Sequence, residues 1–170
     1  MRIAILALLA LLMLAVAVVG QEEQLASGAG ITPDRPVLYG LELAAEKIKL
    51  VLTFGKVKKI EVRLGQAEER LAELQLMADA NKTAAAERAE LARSKTVAAI
   101  EAEAKALEEK GRMPANVKAK VLAMLQKHID VLNKMREKLT ERGLEARGIE
   151  SAIAKSSAVL EKMAAKPGRS

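Results

Sequence analysis

Seven apolar side chains, Val57, Ile60, Leu64, Ala67, Leu71, Leu74 and Ala78, recur at alternating steps of three and four residues. That spacing follows the turn of an α-helix, so it predicts a helix from about Lys56 to Ala80 with one continuous apolar stripe. A stripe of that length must be covered, and another helix packed at a shallow angle covers it best. The constraint propagates, because a chain committed to one long amphipathic helix must supply others.

The remaining periodicity supplies them. A first helix is expected from about Val37 to Phe54, with Leu38, Leu41, Ala45, Ile48 and Leu52 on its buried face and Leu43, Leu50 and Val51 widening it. Pro36 is pre-set for the first turn, Asp34 is the candidate cap, and Gly55 is expected to end the helix. A third helix, about Ala84 to Lys110, is rich in alanine and carries Val97, Ile100, Ala104 and Leu107. Small side chains bury little area, so this helix is expected to be the least firmly held. A fourth, about Ala115 to Arg142, shows Val117, Val121, Met124, His128, Val131, Met135 and Leu139, and a fifth, about Ile149 to Ala164, shows Ile149, Ile153 and Leu160. Short links between long helices predict an all-α antiparallel bundle of about five helices, with a shape that elongation would suit.

The N-terminus reads differently. Arg2 is followed by an unbroken apolar run from Ile3 to Val19, and no further charge appears before Glu22. A basic start, an apolar stretch and small residues before a polar segment describe a secretory signal peptide, residues 1–20, with cleavage expected after Gly20. If retained, the run would serve as an N-terminal anchor. Residues 21–30 read as a flexible spacer, 31–165 as the helical domain and 166–170 as a disordered tail. The expected location is extracytoplasmic, secreted or at the cell surface.

Composition removes several chemistries. There is no cysteine, so disulfides, thiolate metal sites and thiol nucleophiles are excluded. One histidine excludes multi-histidine metal sites, and aromatic content of 1% excludes a base-stacking platform. No cofactor and no nucleic-acid partner is expected.

Four segments also carry a family resemblance. They are GITPDRPVLYGLELAAEKIKLVLTF (Gly30 to Phe54), AEERLAEL (Ala67 to Leu74), KHIDVLNKMREKL (Lys127 to Leu139) and IESAIAKSSAVLEK (Ile149 to Lys162). In these the chain resembles an exported helical family known as domain of unknown function 5667. The family's pattern has Ser-Pro-Leu-Tyr where this chain has Arg35-Pro36-Val37-Leu38-Tyr39, so its serine cap is replaced. The resemblance implies an all-α exported domain. It supplies no activity, ligand or catalytic residue.

Four features remain as candidates for function. His128 lies on the apolar side of the fourth helix, and the positions one turn away are Met124, Leu125, Val131 and Leu132, none of which completes a metal site. It reads as a buried histidine bonded to a neighbouring helix, with a pH-sensitive hinge as the functional alternative. Glu68, Glu69 and Glu73, with Arg63 and Arg70 nearby, read as a solvated helix face. Lys47, Lys49, Lys56, Lys58, Lys59 and Arg63 cluster about the first helical corner; they read as a solubilising face, with a weak contact to an anionic membrane surface as the functional alternative that the positive net charge allows. Asn81-Lys82-Thr83 is an N-x-T glycosylation acceptor in an expected turn, which makes Asn81 the candidate attachment point.

The expected function is that of an exported, non-catalytic helical protein with an interaction or structural role at the cell envelope. Its partners would be a protein, or a second copy, packed on the helical seams. The alternative is a helical chaperone or stress sensor for apolar clients, which requires an exposed apolar patch of several hundred Å².

Overall fold

The computed structural model describes residues 32–165, which form five α-helices with no strand among the described residues. The expected signal peptide, spacer and tail (1–20, 21–30 and 166–170) lie outside the described residues. Helix α1 spans Pro36–Leu52, α2 Lys56–Asp79, α3 Thr83–Glu108, α4 Ala115–Glu141 and α5 Arg147–Ala164. The architecture is the expected all-α antiparallel bundle. The pair α2–α3 makes the most extensive contact, α4–α5 the next, and α2–α4 and α3–α5 close the bundle.

The ends of the helices are set by local chemistry. Pro36 opens α1. At the end of α2, Lys82 donates its backbone N–H to Met77 at 2.9 Å and Asn81 to Ala78 at 3.1 Å, with Asn81 at φ +56°. Arg112 and Gly111 repeat the pattern on Leu107 and Glu108 after α3, and Leu144 and Gly143 on Leu139 and Thr140 after α4. Each is a Schellman ending, in which one left-handed residue reverses the chain and satisfies carbonyls the helix leaves open.

The four helices α2 to α5 enclose two apolar clusters. One, toward the end where α3 meets α4, joins Ile60, Ala67, Val97, Ile100, Leu107, Val121, Leu125 and Met163 among others. The second, toward the opposite end, joins Leu71, Leu74, Ala89, Leu132, Met135, Ile149 and Ala152. The seams expected on α2 and α4 are buried or half-buried throughout. On α5 the fully buried stripe is Ile149, Ala152, Ser156, Val159 and Met163, so Ile153 and Leu160 sit on its flank.

Three expectations are corrected. Helix α3 is not loosely held: Ala85, Ala89, Val97, Ile100, Ala104 and Leu107 are buried, because small side chains let its backbone lie close along α2. The weakly held helix is α1, which buries only Tyr39 and leaves Leu41 and Leu52, assigned to its inner face, exposed. Neither Asp34 nor Gly55 acts as a cap of α1. The N-cap position is Arg35, without a side-chain cap bond, while Asp34 Oδ2 accepts from Lys82 Nζ at 2.5 Å. Gly55, at φ +87°, opens α2 instead.

Candidate functional site

The buried polar groups form two centres, each built around an arginine. Arg93 falls on the stripe of α3 that continues through Ala85, Ala89 and Val97, a position that normally holds an apolar residue. It is 1% exposed, and Glu90, one turn earlier, grips it with two bonds, from Nε at 2.7 Å and from Nη2 at 3.1 Å. The remaining nitrogen, Nη1, lies 3.2 Å from His128 Nδ1 on α4 and donates to Ser156 Oγ on α5 at 3.2 Å. One side chain therefore ties three helices. By sequence position this layer falls between the two apolar clusters on each helix: 93 between 89 and 97, 128 between 125 and 132, 156 between 152 and 159. Sliding any of these helices by a turn would set Arg93 against aliphatic side chains, so the layer opposes shifts of register.

A guanidinium can only donate, so His128 Nδ1 accepts and the neutral ring carries its proton on Nε2. That Nε2 is buried without a hydrogen-bond partner. Burial, with the positive charges of Arg93 and Lys127, lowers the pKa of His128 to about 3. The ring therefore stays neutral in the folded chain through the mildly acidic range, buried and bonded to a neighbouring helix as the first of the two readings expects.

The second centre lies between α1 and α2. Arg70 donates to Glu73 Oε1 at 2.6 Å and to Glu46 Oε1 at 2.7 Å, while Glu42 and Glu69 stand 3.7 Å away. Its guanidinium carbon is 5.1 Å from the centre of the Tyr39 ring, a cation–π distance. Glu73 and Arg70 are thus core residues, which corrects the reading of Glu68, Glu69 and Glu73 as a solvated face. Glu68, paired with Lys127, and Glu69 keep side chains 39% and 34% exposed and fit that reading in part. Burial pushes the Glu73 carboxyl up to about 8 against the pull of Arg70, and it raises Glu69 as well. Burial likewise raises the Tyr39 hydroxyl to about 12. Burial disfavours the charge on Arg70, but Glu73 and Glu46 outweigh it and raise its pKa. Although four carboxylates converge here, the arginine takes the place a cation would need. Among the described residues no group of His, Cys, Asp or Glu is arranged to hold a metal ion.

Removing one partner from such a centre strands a buried charge and typically costs about 3–5 kcal/mol. Sequence reasoning missed both centres. Their signal is an arginine on a helix seam with a glutamate three residues away: Glu90 before Arg93, Glu73 after Arg70.

Of the basic cluster, Lys47, Lys49, Lys56 and Lys58 are exposed and Lys59 is half-buried. Arg63 separates from them, half-buried and paired with Glu103 of α3 through bonds of 3.3 and 3.4 Å. Asn81 is exposed in the α2–α3 turn, where its Oδ1 accepts from Arg142 at 2.5 Å. Near that turn a groove of about 500 Å³ opens between the helix ends, lined by Leu74, Leu91, Leu139, Leu144 and Ile149 together with Glu87, Glu90 and Lys155. A smaller groove of about 240 Å³ follows the α3–α5 seam over Arg93 and Ser156.

Fold and buried centres together define a five-helix bundle whose internal charges serve helix alignment. The chain belongs to the family described as Domain of unknown function (DUF5667), whose pattern matches residues 30–167. No curated protein and no solved structure matches the chain.

Proposed function

We propose that this chain is an exported, non-catalytic helical protein that makes contacts at the cell envelope. One observation carries the reading: α1 holds an apolar face open to solvent, on a bundle whose own cores are already filled by α2 to α5. A helix that turns its two carboxylates toward its own bundle and leaves Val37, Leu41, Val51 and Leu52 exposed presents an apolar surface for a partner. Export is supported by Arg2 and the apolar run Ile3 to Val19. No helix among the described residues is long and apolar enough to cross a membrane.

Cell fractionation with intact-mass measurement tests this reading. The expected result is an extracytoplasmic chain lighter by residues 1–20, and a full-mass chain in the cytosol would overturn it. The groove lined by Leu91 and Leu144 favours one further reading, a chaperone for apolar clients. That reading expects the protein to suppress aggregation of an unfolding reporter, and to lose this ability in Leu91→Ser.

A further inference from the structure

We propose that α1 and the link into α2 form a docking edge that lies in the surface of an anionic bilayer. This rests on the envelope location proposed above and names the partner that meets the open face of α1.

Charge is sorted across α1. Its two acidic residues, Glu42 and Glu46, both turn inward to Arg70. The outer side carries Val37, Leu41, Ala44, Val51 and Leu52, all exposed, with Leu38, Ala45 and Ile48 half-buried among them, and the only charged residues of α1 other than those two are Lys47 and Lys49. On a helical projection, with about 100° between successive residues, Lys47 and Lys49 fall on opposite borders of this apolar arc. Long lysine stems in that place lie along an apolar surface and lift their ammonium groups to the headgroups.

The pattern continues past the end of the helix. Between Glu46 and Glu61 the chain reads KIKLVLTFGKVKKI, with five lysines and no acidic residue. At its centre Phe54, the chain's one phenylalanine, is 86% exposed, beside Val51 at 76% and Leu52 at 67%. The lysine ion pairs among the described residues all use other lysines. Lys49 lies within electrostatic reach of Glu69.

A protein groove would need an acidic rim and a fitted hollow for each side chain. A bilayer offers both the negative charge and the apolar depth along the whole length of the arc. Basic amphipathic helices of this kind settle about 5–10 Å into the boundary between headgroups and acyl chains. Each lysine near an anionic surface strengthens the contact, and salt weakens it.

The chain has no cysteine, so a single one can carry a fluorophore that reports apolar surroundings. Both apolar clusters are built from residues between Ile60 and Met163, so a chain beginning at Gln21 keeps every member of them. In that chain the probe is placed by Phe54→Cys, and a control probe by Leu144→Cys at the opposite end of the bundle. With vesicles containing phosphatidylglycerol, the probe at 54 should brighten and shift to the blue while the probe at 144 stays unchanged. Affinity should exceed that for pure phosphatidylcholine vesicles by about tenfold, and high salt should erase the difference. Val51→Ser with Leu52→Ser should weaken binding by about tenfold without lowering the melting temperature.

Equal affinity for the two kinds of vesicle, or silence at position 54, would overturn the proposal. So would a probe already shielded without vesicles, either with rising protein concentration (a second copy on the face) or only in the full chain (residues 1–20 on the face). Vesicle binding and fractionation are independent readouts. A chain that is exported but ignores vesicles defeats this inference alone, whereas a cytosolic chain defeats the envelope reading.

Discussion

Arg70 and Arg93 occupy positions at which a leucine would cost no desolvation, so each must recover that cost from its partners. The two centres do this differently. Around Arg93 the partners are one carboxylate, a neutral imidazole and a hydroxyl, so the charges balance. Around Arg70 four carboxyl groups face one guanidinium, and burial holds the innermost, Glu73, above the usual carboxylate range. Glu73 therefore keeps a proton in the folded chain at pH values where the unfolded chain, at its ordinary 4.5, has lost it. Each step up in pH from there to about 8 favours unfolding, and Glu69, also raised, adds slope of the same sign. His128 acts in the opposite sense. It is neutral in the fold down to about 3 but takes a proton in the unfolded chain below about 6.5, so acid below that value favours unfolding. Between pH 6.5 and 8 Glu73 sets the slope, and the melting temperature should fall across that interval. Between 4.5 and 6.5 the slopes oppose one another, and below 4.5 histidine prevails. Thermal melts at stepped pH check this, and Glu73→Gln should flatten most of the limb above 6.5. A melting temperature that rises from pH 6.5 to 8 would contradict the protonated Glu73.

Apart from the two ends of α1, element boundaries were legible because they rest on local signals. Pro36, Asn81, Gly111 and Gly143 mark helix starts and reversals with little help from the tertiary fold. The direction in which an apolar face points was not legible. Periodicity shows which residues of α1 share a side, but Arg70, on another helix, decides which side turns inward. The buried stripe of α5 was misjudged for a related reason: Ala152 and Ser156 are buried because they are small enough for close approach, and hydrophobicity does not register that. Asn81 shows how a turn role and a modification pattern can share one residue. Its left-handed φ suits Asn or Gly and penalises most other side chains by about 1 kcal/mol or more. Asn81→Gln should therefore lower stability by about that amount, whether or not a glycan is attached, while Asn81→Gly should leave stability nearly unchanged. Thr83 is exposed at the start of α3 with no side-chain capping role, so Thr83→Ala removes the acceptor pattern and spares the turn. A glycan on Asn81 in the native host should appear as a mass shift that Thr83→Ala abolishes at constant melting temperature. Equal destabilisation by Thr83→Ala and Asn81→Gln would show that the turn depends on more than the left-handed residue.

At the scale of the molecule, α2 to α5 share both apolar clusters, and no one of them can leave without opening the others. Helix α1 is attached on different terms. Its start is clasped by Arg88, which donates to the Pro33 carbonyl at 2.8 and 3.0 Å, and by the pair Lys82–Asp34. Its middle is held by the polar bonds of Arg70 and by Tyr39, and beyond that its apolar side faces solvent. Apolar burial supplies most of the free energy of folding, so an element that buries little should open at a cost well below global unfolding. Native-state hydrogen exchange reads this directly. The amides of α1 from Leu43 to Leu52 should exchange through a local opening that depends weakly on denaturant. Those around Leu71, Ile100 and Leu125 should exchange only with global unfolding. Arg70→Met removes the bond that orients α1, so it should speed exchange along α1 and, because the native state itself is weakened, lower the protection of the core amides by a comparable free energy. Uniform protection across all five helices would mean that the polar clasp binds α1 as firmly as an apolar core would. The face of α1 would then be fixed in place rather than free to adjust to the surface it meets.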